Sequence, residues 1–399
     1  MKQNREIEVA IIGGGTAGLS CAIELKKLGV KDVVVFERAS KAGGAPLHCG
    51  HKGFGIFEFK RVLTGPEYAE KLVKNAEDLE VDIYLNHTLL RVEDGKLVII
   101  TNKGIKNFRA KRVLFATGAR ETPRSQRLVS GMRDIRIITT GALQRFIYQK
   151  NQIPFKSSVI YGSEIVSFSA LKTESDFGIK TKAMIEEDGE IKVYPFIRPI
   201  AEKFFKTTIH KGVKNSFINS GKNLKFAINS KEIETEGAVF SGSFTPESAV
   251  LRESGFKYNL INSSIDISQD FQTSKRGFFA AGNIIRGAYA SYKCHYEAKE
   301  AAKSIWLSLN NEDDPIFVEI ECSSKNIEWY YPTLVNLNSP KKFLTNIKFR
   351  DYQKGTLQIY LNEKLIYEKT IEAKPYKVIT LPWIDQKLKS TNKVRIELK

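Results

Sequence analysis

The apolar and polar positions of the first forty residues predict a strand, a glycine turn, a helix and a second strand. Glu8 to Ile12 is a short apolar run that glycine ends, as expected of a buried strand. Gly13 to Gly18 follows with three glycines in a G-x-G-x-x-G spacing, and small and apolar residues continue as a helix from Leu19 to Leu28. A second apolar run, residues 33–36, ends in Glu37. This order is typical of a βαβ unit that binds a dinucleotide.

Each glycine of this turn has a physical reason to be glycine. Gly13 allows the tight turn, Gly15 lets backbone amides approach a pyrophosphate, and Gly18 lets the helix pack close to the sheet. The N-terminus of the helix then faces the phosphates. Glu37 follows Gly18 by 19 residues, which is where a carboxylate accepts hydrogen bonds from a ribose.

Three later segments carry further small residues at informative places. A Gly43-Gly44 pair follows Glu37. Residues 104–109 predict one strand of a hairpin, and a separate apolar strand from Arg112 ends in Ala116-Thr117-Gly118. A strand within residues 273–283 ends in Gly282-Asn283. Together these segments resemble the FAD site of the pyridine nucleotide-disulfide oxidoreductase superfamily, over about residues 5–310 of the chain. The resemblance implies a non-covalently bound FAD, held by Gly13, Gly15, Thr16, Ala17, Gly18, Glu37, Arg38, Gly44, Ala45, Leu89, Ala116, Thr117, Gly118, Gly282 and Asn283.

The segments GGAPLHCGHKGFG and RVLTGPEYAEKL resemble a narrower branch, the FAD subunits of opine, proline and amine dehydrogenases and of hydrogen cyanide synthase. Pro46 and His51 stand where the disulfide reductases of the superfamily have two cysteines, so disulfide reduction by that mechanism is disfavoured. Thr64-Gly65-Pro66-Glu67 also predicts a helix start, because a cap, a first-turn proline and an acid come in order. Four residues are weak candidates for a proton donor or a thiol near the flavin, with polar packing as the alternative: His48, Cys49, His51 and Cys294.

A second unit is inserted between the FAD-binding segments, and its glycine turn is damaged. Only Gly162 remains of a second fingerprint, while Glu164 stands at the second glycine position and Ser167 at the third. In the superfamily this turn binds NAD(P)H. A carboxylate at this point repels a pyrophosphate and blocks its approach to the backbone. The sequence therefore predicts a Rossmann-like unit that has lost nicotinamide binding, and NAD(P) is doubtful as a cofactor.

Beyond a polar linker at residues 310–315 the periodicity changes to alternating strands. These predict a small β-sandwich that docks a partner subunit or closes over a face, and Cys322 alone cannot hold an iron–sulfur cluster. The predicted fold is α/β, with two Rossmann-like (three-layer ββα) dinucleotide-binding domains, one inserted in the other, and a C-terminal all-β sandwich-like domain. The predicted domains are 1–123 with 240–311 for FAD, 124–239 for the degenerate NAD(P)-type domain, and 312–399 for the β domain.

Composition and charge indicate the location and the partners of the protein, and they do not alter the predicted fold. The chain has 399 residues with 42% hydrophobic and 27% charged residues, as soluble proteins do, and it lacks an apolar run of membrane-spanning length and a signal peptide, so we expect a cytoplasmic protein. The net charge of +17 comes from scattered lysines without a nucleic-acid motif, so no nucleic-acid partner is expected. The four cysteines are widely spaced, and no metal site is predicted.

These observations predict an FAD-dependent oxidoreductase. A small donor, such as an amine, amino acid, opine or hydroxy acid, gives up a hydride equivalent, and the electrons leave to a partner protein or an acceptor other than NAD(P). Two alternatives stay open: an FAD-binding electron-transfer or assembly subunit of a heteromeric dehydrogenase without its own substrate site, and an NAD(P)H-dependent flavin reductase. A second dehydrogenase or electron-transfer subunit is a possible partner in the first of these.

Overall fold

A computed structural model describes most of the chain and extends from Glu6 to Lys399. The described residues are 6–213, 217–228, 231–311, 314–324, 326–339, 341, 344–382 and 393–399.

The first unit begins with the predicted strand, helix and strand. Its strands are β1 (Glu6–Ile12), β2 (Val33–Phe36), β3 (Lys52–Phe54), β4 (Leu63–Thr64), β5 (Asp82–Tyr84), β6 (Thr88–Glu93), β7 (Lys96–Thr101), β8 (Gly104–Phe115) and β9 (Ala119–Glu121). Its helices are α1 (Thr16–Lys27), α2 (Ile56–Phe59) and α3 (Gly65–Glu77), with a 3₁₀ turn at Ala45–His48.

The sheet of this unit has a parallel part and an antiparallel part that share one strand. The hydrogen-bonded order is β5-β2-β1-β8-β7-β6. We predicted two separate strands for residues 104–109 and 112–118, whereas the structure has β8 as a single strand of twelve residues. Its first half pairs with β7 in antiparallel fashion and its second half with β1 in parallel. One long strand therefore joins the two β layers of the unit.

The inserted unit is a second parallel sheet with a small antiparallel sheet beside it. Its strands are β10 (Ser130–Gly131), β11 (Ile137–Thr139), β12 (Ser157–Tyr161), β13 (Lys180–Ile185), β14 (Ile209–His210), β15 (Phe217–Ser220), β16 (Leu224–Ile228), β17 (Lys231–Thr235) and β18 (Gly237–Phe240). Its helices are α4 (Thr140–Gln144), α5 (Ile165–Asp176) and α6 (Ile197–Phe205). The described strands form the orders β11-β18-β12-β13-β14 and β10-β15-β16-β17.

The chain then returns to the first unit. The returning elements are β19 (Phe244–Pro246), α7 (Ala249–Glu253), β20 (Phe278–Ala280) and α8 (Ser291–Leu309). β19 pairs with β9, and β20 adds to the first sheet by pairing in parallel with β8. Buried residues of α1, α3 and α8 share one hydrophobic cluster with the sheet, which fixes the three helices on the same core.

The C-terminal unit is all-β. Its strands are β21 (Phe317–Cys322), β22 (Ile327–Tyr331), β23 (Leu334–Asn336), β24 (Leu344–Phe349), β25 (Gln353–Leu361), β26 (Lys364–Ala373), β27 (Val378–Pro382) and β28 (Val394–Leu398). They form the orders β23-β21-β28-β25-β26 and β22-β24-β27, and both groups contribute to one apolar core. The predicted fold class is therefore confirmed. The exact boundaries at residues 123, 239 and 311 stay our proposal.

Candidate flavin site

The first glycine turn leaves no room for side chains at two of its glycines. Gly13 has a φ of +108°, and its amide donates to the Phe36 carbonyl oxygen at 2.8 Å. A Cβ on Gly13 would lie 2.4 Å from the carbonyl oxygen of Ala116, and one on Gly18 would lie 1.9 Å from that of Gly13. Both separations are too short for a carbon atom, so this turn requires glycine at both positions.

Helix α1 begins with amide groups that no side chain caps. Gly15 is the N-cap residue, and within the described part of the chain the first turn has no capping side chain and no acidic residue. Thr16 and Ala17 are buried in that turn. The first amides of a helix lack partners inside it and form the positive end of its dipole. The turn therefore fits the pyrophosphate of a dinucleotide such as FAD.

Glu37 is held at the end of β2 by two backbone amides. It is only 8% exposed, and its carboxylate accepts hydrogen bonds from the amides of Gly14 and Ala39, each at 2.7 Å. These bonds fix the carboxylate beside the glycine turn, as a ribose ligand requires. The exposed guanidinium of Arg38 lies 3.3 Å from the carboxylate of Glu247.

The three FAD fingerprint segments are residues 13–37, 113–118 and 273–283. The Gly-Gly pair and the third of these fingerprints both touch the first turn. The Gly43 amide donates to the Gly14 carbonyl oxygen at 2.7 Å, and a Cβ on Gly44 would lie 2.8 Å from the Cα of Gly15. A Cβ on Gly282 would lie 2.7 Å from the Cβ of Ala17. Segments that are far apart in the sequence are thus packed against one glycine turn without side chains between them. Ala45 follows directly as the first residue of the 3₁₀ turn.

The remaining predicted FAD residues have different surroundings. Ala116 lies against Gly13 as described, and the Thr117 hydroxyl donates to the carbonyl oxygen of Glu247 at 2.8 Å. Gly118 has a φ of +79° and open space where a Cβ would stand. Leu89 is a core residue of β6, 7% exposed, and its side chain belongs to the apolar cluster on the sheet. Only its backbone could therefore face a cofactor.

Asn283 is fixed by two donors from the loop and helix that follow it. Its Oδ1 accepts from the Tyr289 amide at 3.0 Å and from the Cys294 thiol at 3.2 Å. Burial raises the pKa of that thiol to about 12, so Cys294 is not a thiolate at neutral pH. Cys294 acts on the site by holding Asn283.

His48 and Cys49 pack against α4, in a group separate from Cys294. The Cys49 thiol donates to Oε1 of Gln144 at 3.5 Å, and burial raises its pKa to about 12. Burial, helped by the nearby Arg145 charge, lowers the pKa of His48 to about 4, so its imidazole is neutral at pH 7. Nδ1 of His51 lies 3.1 Å from the Lys52 carbonyl oxygen.

Glu121 is a largely buried acid that the sequence analysis did not select. Its carboxylate accepts from the Gly141 amide at 2.7 Å and from the Gly242 amide at 3.4 Å, while burial raises its pKa. A Cβ on Gly141 would lie 3.4 Å from Oε2 of Glu121 and 3.6 Å from Nε2 of His48, so the acid and the imidazole face the same small space. The available signal was an acid three residues after Gly118.

At the second glycine turn the carboxylate of Glu164 reaches across a cleft. Gly162 follows β12 with a φ of +126°, and Glu164 immediately precedes α5. Oε1 of Glu164 accepts from the Ser243 amide at 2.7 Å, and a Cβ on Gly242 would lie 2.7 Å from its carboxyl carbon. The cleft, of about 250 Å³, has further charged residues in its lining: Arg127, Glu186, Glu187 and Lys192.

The described part of the chain has no candidate for a membrane-spanning helix or for a metal site. None of the helices there is both long and apolar enough to cross a bilayer. No group of three or more His, Cys, Asp or Glu side chains there is arranged to hold a metal ion. The four cysteines are unpaired.

Comparison with known proteins agrees with this geometry. The NAD(P)H coenzyme A polysulfide/persulfide reductase of Pyrococcus horikoshii is 31% identical over 120 residues, which are 30% of this chain and 26% of that protein. The ferredoxin–NADP reductase of Streptococcus equi subsp. zooepidemicus is 26% identical over 299 residues, 70% of this chain and 86% of that protein. The crystal structure of L-proline dehydrogenase from P. horikoshii has a TM-score of 0.60 at 18% identity, covering 78% of this chain and 57% of that one.

These likenesses differ in what they establish. The match to the Pyrococcus reductase spans about a quarter of that protein, and the likeness to the proline dehydrogenase shows the fold alone. The sequence profile of the pyridine nucleotide-disulphide oxidoreductase family, in contrast, matches residues 7–302, which include all three fingerprint segments. With a glycine turn that fits FAD, the chain therefore belongs to the pyridine nucleotide-disulphide oxidoreductase family and is an FAD-dependent oxidoreductase.

Proposed function

We propose that this enzyme oxidises a small donor, an amine, amino acid, opine or hydroxy acid, and passes the electrons to a partner protein or to an acceptor other than NAD(P). The observation that carries the proposal is the carboxylate of Glu164 across the second cleft, bonded to the Ser243 amide. A nucleotide pyrophosphate entering there meets a negative charge and loses that amide as a donor.

The positions and pKa values of the cysteines argue against a mechanism that uses a pair of reactive thiols. Pro46 and His51 occupy the two positions where a dithiol would stand, and Pro46 is buried in the 3₁₀ turn. The thiols of Cys49 and Cys294 have pKa values raised to about 12 by burial, which removes the nucleophilic thiolate at neutral pH.

Different residues of this chain would bind FAD and contact the donor. FAD, when bound, supplies hydride transfer. The amides at the start of α1 would hold its pyrophosphate, and Glu37 would hold a ribose. The neutral imidazole of His48 has one ring nitrogen free of a proton, and that nitrogen can accept a hydrogen bond from an N–H or O–H group of the donor. Glu121 and His48 both lie beside Gly141.

The test is anaerobic reduction of the purified holoenzyme, followed by the absorbance of its flavin. We expect bleaching by one member of a panel of amines, opines, amino acids and hydroxy acids, and none by NADH or NADPH on the same timescale. Rapid bleaching by NADH or NADPH with no response to any donor would overturn the proposal.

Two variants separate the charge of Glu164 from its bulk. Glu164→Gly opens the turn and removes the charge, so we expect NADH to reduce the flavin at least about tenfold faster than in the parent, since one ionic repulsion is relieved. Glu164→Gln keeps the bulk and should give a smaller gain. Equal, parent-like rates in both variants would show that Glu164 is not the barrier.

A second candidate is an NAD(P)H-dependent reductase, and the names of two relatives favour it. One is an NAD(P)H coenzyme A polysulfide/persulfide reductase and the other a ferredoxin–NADP reductase. The same experiment decides, because this candidate requires NADH or NADPH to bleach the flavin of the parent enzyme.

A further inference from the structure

The C-terminal β unit is bonded to the segment that leads into the third fingerprint. The amides of Thr333 and Leu334 both donate to the Ile267 carbonyl oxygen at 3.0 Å. The side chain of Gln269 donates to the Asn336 carbonyl oxygen at 2.8 Å and accepts from the Asn336 amide at 3.0 Å. Because all of these groups are buried from water, the contact is a firm one.

The contacted segment is itself paired with β20. The Ala280 amide donates to the Phe271 carbonyl oxygen at 3.0 Å, and Gln272 forms an antiparallel bridge with Phe279. β20 ends at Ala280, and the residues predicted to hold FAD, Gly282 and Asn283, follow immediately. Hydrogen bonds therefore connect the β unit to residues 267–272, and these residues to β20, which leads into Gly282 and Asn283.

A buried ion pair lies beside the same fingerprint. The Arg286 side chain is 0% exposed, and its Nη2 lies 2.6 Å from Oε2 of Glu297 in α8. Its guanidinium lies 4.6 Å from the ring centre of Tyr289 and 5.1 Å from that of Tyr331. Its Nε and Nη1 have no hydrogen-bond partner among the described residues. A buried guanidinium with one carboxylate partner depends strongly on that carboxylate.

The β unit supplies the second hydrogen-bond partner of the Glu297 carboxylate. The Tyr331 hydroxyl, at the end of β22, donates to Oε1 of Glu297 at 3.0 Å, while Oε2 faces Arg286. Each oxygen of Glu297 therefore has one partner, one from each unit. Without the hydroxyl, the carboxylate would be free to rotate away from the guanidinium.

This cluster and Asn283 are held by the same loop and helix. Tyr289, on which Arg286 stacks, donates its amide to Asn283, and Cys294 donates to Asn283 one turn before Glu297 on α8. A shift of Glu297 or Arg286 therefore reaches Asn283 through two separate contacts.

We propose that the C-terminal β unit positions the FAD site, and that Tyr331 is the positioning residue, acting through Glu297 and Arg286 on Asn283. The unit needs no partner subunit for this role. It contacts residues 267–269, which lead into the third fingerprint.

The test is Tyr331→Phe in the full-length enzyme, which removes one hydroxyl and keeps the ring. We expect FAD to bind the apoprotein about three- to tenfold more weakly by fluorescence titration, the size of one hydrogen bond, together with a changed visible spectrum of the bound flavin. Tyr352→Phe is the matched control, because Tyr352 is a 44% exposed tyrosine of the same unit. FAD affinity and spectrum equal to the parent in Tyr331→Phe would overturn the proposal.

A double-mutant cycle separates positioning from general stability. If Tyr331 acts through Glu297, then Glu297→Gln and Tyr331→Phe together weaken FAD binding by less than the product of their single effects. Independent, multiplicative effects would contradict the proposed route. Should the variants fold poorly, hydrogen exchange of the parent decides instead, since FAD binding should protect residues 329–336 as well as 13–18. Protection confined to the glycine turn would contradict the proposal.

Discussion

At the scale of single residues, Gly18 in the first turn leaves less room for a Cβ than any other glycine of the described residues. A Cβ on Gly18 would lie 1.9 Å from the Gly13 carbonyl oxygen, so Gly18→Ala must push helix α1 away from the sheet. We expect at least about a tenfold loss of FAD affinity and a lower melting temperature, because the helix amides move from the phosphate position. The measurement is FAD titration of the apoprotein.

Gly189→Ala is the matched control for this change. It makes the same substitution at a site where a Cβ meets no atom within 4 Å and where φ is not positive. FAD affinity should stay at the parent value. Equal losses in both variants would mean that the turn geometry is not the cause.

His48 makes stability depend on pH in the acid range. Its pKa is lowered by burial to about 4 from an ordinary value of 6.5, so the unfolded chain binds more protons between these values. The contribution is complete above pH 6.5 and is lost as the pH falls through 4. It amounts to about 3 kcal/mol at most. In His48→Gln, denaturant unfolding should depend less on pH between 6.5 and 4, and an unchanged dependence would contradict this account.

At the scale of elements, helix α3 begins with a reciprocal cap. The Thr64 amide donates to Glu67 at 2.7 Å, and the Thr64 hydroxyl accepts from the Glu67 amide at 3.4 Å. Thr64→Ala removes the hydroxyl and should lower the free energy of unfolding by about 1 kcal/mol in a denaturant titration, whereas Thr64→Ser should cost little. An equal loss in both would show that the threonine methyl group, and not the cap, matters.

Local patterns predicted the elements well where the cause is local. The glycine turn at residues 13–18 and the cap at Thr64 depend on residues that are neighbours in sequence, so spacing alone reveals them. The continuity of β8 was missed because residues 110–111 look like a break, while pairing with β1 carries the strand through them. Glu121 and Tyr331 were missed because their partners lie 20 or more residues away, and no local period marks such contacts.

At the scale of the whole molecule, Glu121 joins the first unit to the inserted one. It ends β9, which pairs with β19 where the chain leaves and re-enters the first unit. Its carboxylate accepts from the Gly141 amide of the inserted unit and from the Gly242 amide, where the chain returns from that unit. Glu121→Ala should loosen this crossing, so trypsin should cut after Arg120 and Arg124 severalfold faster, as mass spectrometry of the fragments would report. Glu121→Gln keeps one of the two acceptor oxygens, so its cleavage rate should lie between those of the parent and Glu121→Ala. Unchanged cleavage in both variants would exclude a joining role.

The carboxylate of Glu164 has a consequence for how the cleft responds to its surroundings. Glu164 is part of the chain that lines the cleft. Its effective concentration at the Ser243 amide is therefore that of a ligand on a short linker, on the order of millimolar or more. A dissolved anion must outcompete that built-in ligand at every encounter. On the proposed function, we therefore expect the occupancy of this amide to respond only weakly to changes in the concentration of free nucleotides.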